Sequence, residues 1–326
     1  EEKLRVSEMI RQCEGPRAES YRGLQDFSKF VNDNYIGEGS EPFKNLPYDY
    51  GSAAVDGFER YYKPLIIALF RDFTPYKNFW KRARELGAID GELAYFNAQN
   101  ERTRKQIRDQ EWDDEKYNEI YEEPLEELNN LKSGVWPFFV VFQKGLIRAT
   151  IDAYNQSSVL LGENVSQDTF LAKWIEFLNA LYNREIMRID CPLTVGGKRA
   201  GQLWEGICKM PITQNIKYSN AATGRIRDVI ILSWYLANSG YESSSEFLER
   251  LENKNSNSEF PNGKKIAAGI VGTLNSVSKA HYQASIDDLD PEDAEQLVAE
   301  KSLERAKVIL DAAAGLTSSG ATRSVE

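Results

Sequence analysis

The chain has 326 residues, with 40 Lys and Arg against 50 Asp and Glu, for a net charge of −10 with its one His neutral. Three Cys (Cys13, Cys191, Cys208) and a single His (His281) exclude a disulfide framework, a His-rich zinc site and an H-E-x-x-H helix. The negative total argues against a whole-molecule footprint for nucleic acid and leaves that partner only a local basic patch.

Hydrophobic residues make up 41% and aromatics 11%, enough for a packed core and too much for a disordered tail. The longest apolar runs, Leu65 to Phe70 and Val135 to Phe142, fall well short of the roughly 20 residues of a membrane span, so no membrane partner is expected. The opening Glu-Glu-Lys-Leu has no basic flank or apolar stretch. With so few Cys, this predicts a reducing, cytoplasmic setting.

Taken in chain order, the dominant period is helical. Leu4, Val6, Met9, Ile10 and Cys13 share one stripe, and Tyr21, Leu24, Phe27, Phe30 and Val31 form a second. A Gly/Pro-rich loop over 37–51 precedes a helix over 52–73, which Pro64 is expected to kink. Helices are predicted over 75–86, 90–110 and 113–131, the last interrupted at Pro124. The segment 133–154 is the most apolar and suits an element buried on most sides, although Phe138 to Phe142 would also suit a short strand.

Ser166 caps a cleaner helix, with Phe170, Trp174, Phe177, Leu178 and Leu181 on one stripe. Residues 186–201 break the rhythm with Cys191-Pro192, Thr194-Val195 and Gly196-Gly197; they read as irregular or as a short hairpin, and as a domain boundary. A short helix over 203–210 and a long one over 223–238, ended by Gly240, come next. Ser243 and Glu246 make a capping box for 244–251, and 253–262 is a polar loop. Three glycines weaken a helix over 263–286, each by about 1 kcal/mol relative to Ala. Asp290-Pro291 starts the last helix, which runs to Gly315. The expected fold is all-α, a multi-helix globular bundle with helical domains over 1–186 and 187–315. A short irregular or β segment lies near 187–201, and a loose tail covers 316–326.

Charge is segregated. Residues 109–127 hold ten acidic side chains and one basic one, and 286–326 hold ten acidic and four basic. Residues 188–227 hold seven basic side chains against two acidic. One reading is an anion- or phosphate-binding surface at Lys198, Arg199, Arg225 and Arg227, beside acidic faces suited to a basic partner. The plainer reading is solvated helix faces with intramolecular pairing. Gly196-Gly197-Lys198-Arg199 could cradle a phosphate, but Pro192 and Arg199 break the phosphate-loop pattern.

Asp56-Gly57-Phe58-Glu59-Arg60, followed by Leu65 to Leu69, resembles a fragment of the motif of ParB/sulfiredoxin-like proteins, some of which are nucleases or NTPases. Arg225-Ile226-Arg227-Asp228 resembles a downstream segment of that group. The resemblance implies a phosphate site with Asp56 and Arg60 acting on it. The chain departs from the family at Phe58-Glu59 and has no Gln/Arg-rich strand upstream, and a capped amphipathic helix explains the same residues. Acidic clusters at Asp113-Asp114-Glu115 and Asp287-Asp288 lack the glycine of a calcium loop and suit helix starts. His281 has no nucleophile or second base beside it in any motif, so it reads as a packed or surface residue.

No catalytic set, cofactor or metal is expected. The leading expectation is a non-enzymatic structural or interaction subunit of a larger assembly, with a protein partner or a second copy of itself. The alternative is a phosphate- or nucleic-acid-directed enzyme using Asp56, Arg60 and the basic stretch 188–227.

Overall fold

A computed structural model describes residues 62–162, 165–211, 213–253 and 256–316. The first two predicted helices, the loop over 37–51 and the tail beyond 316 lie outside these residues. The described chain is mostly helical, with one two-stranded antiparallel sheet. It divides into two compact units. Phe70 to Phe138 belong to one; Tyr62 to Leu69 and the chain from Phe139 onward belong to the other. Helix α1 (Lys63–Asp72) runs through Pro64, and the residues before Tyr62 in the helix predicted over 52–73 lie outside the described ones.

In the first unit, α2 (Thr74–Glu85) buries Tyr76, Phe79 and Ala83. The Tyr76 hydroxyl donates to the Pro137 carbonyl at 2.6 Å, and its ring meets those of Phe73 and Phe138 edge-on. The helix predicted over 90–110 is two, α3 (Glu92–Ala98) and α4 (Glu101–Glu111). Asn100 makes the break, because its side chain accepts the Thr103 N–H at 2.9 Å and caps α4. Next come α5 (Asp114–Tyr117), a π-turn over Asn118–Glu122 and α6 (Glu123–Lys132). Pro124 does not interrupt the rod; it sits in the first turn of α6, after the widened π-turn.

The second unit opens with α7 (Val140–Asn155), nearly all of whose apolar side chains are buried, so 138–142 does not form a strand. The helices α8 (Ser157–Leu161) and α9 (Gln167–Asn183) follow, the latter capped by Ser166. Strands β1 (Pro192–Val195) and β2 (Lys198–Gln202) form a hairpin. Its turn residues Gly196 and Gly197 have φ of 57° and 77°, the doubly left-handed conformation that favours Gly-Gly in tight hairpins. The hairpin buries Leu193, Val195 and Ala200. The hairpin lies within the second unit, and the chain passes from the first unit to the second between Phe138 and Phe139.

Residues 203–210 form turns, not the expected helix, because Gly206 takes φ +81° against the Val277 side chain, where no other residue fits. The long helix α10 (Asn220–Ser239) starts at the Ser219 cap and ends at Gly240 in the left-handed region. The chain continues through α11 (Ser244–Glu252), α12 (Ser256–Glu259), α13 (Gly263–His281), α14 (Gln283–Ile286) and α15 (Pro291–Ala314). Helices α7 and α10 pack closely because Gly145 carries no Cβ; one would lie 2.7 Å from the Ile226 Cβ. Trp174 and Trp234 meet edge-on at 5.2 Å between α9 and α10, and the Trp174 indole donates to Thr150 at 2.9 Å.

Candidate functional site

The four residues expected to bind an anion have different fates. Lys198 and Arg199 are exposed where β2 leaves the hairpin turn, with no ion pair among the described residues. Arg227 is held by Asp152 at 3.1 Å and Asp228 at 2.6 Å. Burial raises the pKa of both aspartates, and the Arg227 charge opposes the rise. Arg225 makes only a long contact, from Nη1 to the Gly206 carbonyl at 3.5 Å. Within the basic stretch, Arg188 pairs with Asp190 at 3.0 Å and the buried Lys209 donates to Gln202 at 2.5 Å. No contact joins Arg225 or Arg227 to the hairpin pair among the described residues. Asp56 and Arg60 lie outside those residues.

A polar cluster that the sequence did not reveal surrounds Glu205, which is only 2% exposed. Its Oε2 is 2.8 Å from Nε2 of His281, and its Oε1 accepts from Gln214 at 2.6 Å. Arg305, fully buried, lies 3.6 Å from Oε2 and donates to the Ala200 carbonyl. Burial lowers the Arg305 pKa and the Glu205 charge partly restores it. A carboxylate bonded to one ring nitrogen fixes a His ring, as in many catalytic and metal sites. Here the backbone of Gly201, at φ +91°, lies against the pair, and a Cβ there would strike Glu205 and stand 2.9 Å from His281 Nε2. The cluster therefore ties the hairpin, the turns over 203–208, α13 and α15 together through one carboxylate. Glu205 and His281 are 76 residues apart, so no local pattern announces them.

A run of elements in the first unit buries none of its residues. Helix α4 buries none of its residues. It is anchored at its far end by an aromatic group: Phe96 stacks on Trp112 at 4.5 Å and meets Tyr121 at 4.9 Å. The Arg108 guanidinium lies 4.4 Å over Tyr117. Of the ten acidic residues over 109–127, Asp114 pairs with Arg108 at 3.5 Å and Glu127 with Arg82 at 2.5 Å. The other eight, Asp109 to Glu126, are all exposed and have no ion pair among the described residues.

An open groove of about 460 Å³ lies between α11, α12 and the start of α13, but Lys264 in its wall is already paired with Glu252 at 2.5 Å. Among the described residues no group of three or more His, Cys, Asp and Glu side chains could hold a metal ion. No described helix is long and apolar enough to cross a membrane. No protein-family model, curated protein or solved structure matches the chain.

Proposed function

We propose that the protein is a non-enzymatic interaction subunit that presents an acidic helical arm, residues 100–132, to a basic protein partner in an intracellular assembly. The observation that carries this reading is the unpaired acidic surface. Intramolecular pairing, the plainer account of the charge run, accounts for two of the ten carboxylates over 109–127. A helix that is polar all round contributes little to a core, and the aromatic group fixes its direction at modest cost. Fixed, unpaired charge steers and selects an oppositely charged surface. Cys191 and Cys208, both buried free thiols, suit a reducing compartment. An enzymatic role finds less support. The chain's one His has its Nε2 committed to Glu205, and no nucleophilic side chain touches it among the described residues.

The test compares the full chain with a variant in which Asp109, Glu111, Glu115, Glu119, Glu122 and Glu126 become Asn or Gln. Both are recovered from the native source at low salt and sized by light scattering. The expected result is a complex of defined stoichiometry for the parent chain, lost in the variant. Monomers alone in both samples would contradict the reading.

A further inference from the structure

We propose that helix α4 docks against α4 of a second copy of this chain, antiparallel about a two-fold axis, with Lys105 of each copy on Asp109 of the other. The inference rests on the reading of residues 100–132 as a docking arm, and it finds the basic surface that the arm requires within the protein itself. The two sides of α4 differ. Thr103, Arg104 and Ile107 are half-buried and mark its inner side, whereas Arg102, Lys105, Gln106 and Asp109 are exposed. At spacings of three, four and seven residues these four share one helix face. That face is basic where the helix begins and acidic where it ends. Arg102, Lys105 and Asp109 have no ion pair among the described residues, and the nearby Asp114 is taken by Arg108 at 3.5 Å. Lys105 and Asp109 are four residues apart, but a base placed before an acid is the weaker order for pairing within one helix.

A face of this kind is complementary to itself. A two-fold axis midway between Lys105 and Asp109 runs two α4 helices antiparallel and sets each Lys105 opposite Asp109 of the other copy, so one contact is made twice. It also carries Arg102 of each copy toward the end of the other helix, where Asp113 is exposed and has no ion pair among the described residues. A parallel arrangement would instead put like charge on like charge, which disfavours it. Because α4 buries none of its residues in its own unit, the pairing displaces nothing from the core. Exposed ion pairs are weak and screened by salt, so the association is reversible and salt-sensitive.

The experiment measures self-association of the full chain by sedimentation at low and high salt. The parent is expected to form a dimer at low salt that dissociates as salt is added. Lys105→Glu or Asp109→Lys alone puts like charges across the axis and is expected to weaken the dimer about tenfold or more. An equimolar mixture of the two variants restores both contacts, so the mixed dimer should form as the parent's does. Both changes introduce good helix formers at exposed positions, so α4 should stand, and circular dichroism checks that it does. The control Lys198→Glu/Arg199→Glu reverses charge away from the arm and should dimerise as the parent does. A parent that stays monomeric at low salt, or a mixture that associates no better than either variant alone, overturns the proposal. Binding of a labelled Lys/Arg-rich peptide separates this failure from failure of the docking arm. A monomeric parent that binds the peptide loses only the second copy as a partner; one that binds neither loses both readings.

Discussion

Glu205 is nearly free of solvent, yet His281, Gln214 and Arg305 converge on its carboxylate. Removing one member of a buried charged group leaves the others without compensation, which costs more than the group contributes as a whole. Glu205→Gln keeps the shape and removes the charge that faces buried Arg305, so it should destabilise the second unit by about 3 kcal/mol. Chemical denaturation would show this as a lower midpoint at unchanged slope; a loss below about 0.5 kcal/mol would mean the cluster is held by packing alone. The Asp152–Arg227–Asp228 group makes a different prediction. Burial raises both carboxyl pKa values above those of the unfolded chain, so the folded state binds these protons more tightly. Stability is then lost as pH rises from the ordinary aspartate range, about 4, through the raised values, and is regained on acidification within that window. Relative to Asp152→Asn, the parent chain should lose stability across this window and differ by a constant amount above it. A difference independent of pH would contradict the assignment. Neither group was readable in advance. The sequence places Gly206 in a helix over 203–210, and two partners of Glu205, His281 and Arg305, come from helices that begin far along the chain.

Helix ends were the most legible elements because their signals are local. Ser166, Ser243 and Asp290-Pro291 all cap as their residue types require, and Gly240 and Gly315 close helices in the left-handed region. The misreadings arise where tertiary packing or a single polar side chain overrides the period. Asn100 divides a run that is helical on both sides, and Gly206 bends 203–210 into turns against Val277. Residues 187–201, by contrast, contain the short hairpin that their Gly-Gly and β-branched residues allow, and Leu193 and Val195 on β1 enter the core. Helix α4 shows how little an element can depend on its own residues. At 11 residues and with none buried, it is too short and too polar to persist alone, so the aromatic group at Phe96 and Trp112 must hold it. Phe96, only 3% exposed, is the centre of that group. Phe96→Ala should cost about 3–4 kcal/mol locally, more than α4 can supply. Hydrogen exchange over 101–111 should then approach that of an unstructured peptide. Helix α2, with Tyr76 and Phe73 in an aromatic group of their own, should keep its protection. Retained protection in α4 would show that the arm has another support.

The net charge of −10 is the sum of blocks with different structural fates, and their fates depend on pairings the sequence count does not contain. In the basic stretch, Arg188, Lys209 and Arg227 are spent on internal contacts, while Lys198, Arg199, Lys217 and Arg225 keep their charge available. In the C-terminal acidic region, Asp311 accepts the Ser244 N–H at 2.7 Å and Glu304 pairs with Lys301 at 3.0 Å. Eight of the ten carboxylates over 109–127 are exposed and have no ion pair among the described residues. Charge of that sort repels itself in the compact state. Neutralising Asp109, Glu111, Glu115, Glu119, Glu122 and Glu126 should therefore leave the unfolding midpoint unchanged or raise it at low salt. Any gain should fade as salt is added, since at 1 M the screening length falls to about 3 Å, shorter than the spacing of these side chains. Binding to a labelled Lys/Arg-rich peptide should fall over the same substitutions, and in the parent chain it should weaken with salt. If neutralisation instead costs more than about 1 kcal/mol of stability, the carboxylates serve the fold through pairing, and the arm is not a docking surface.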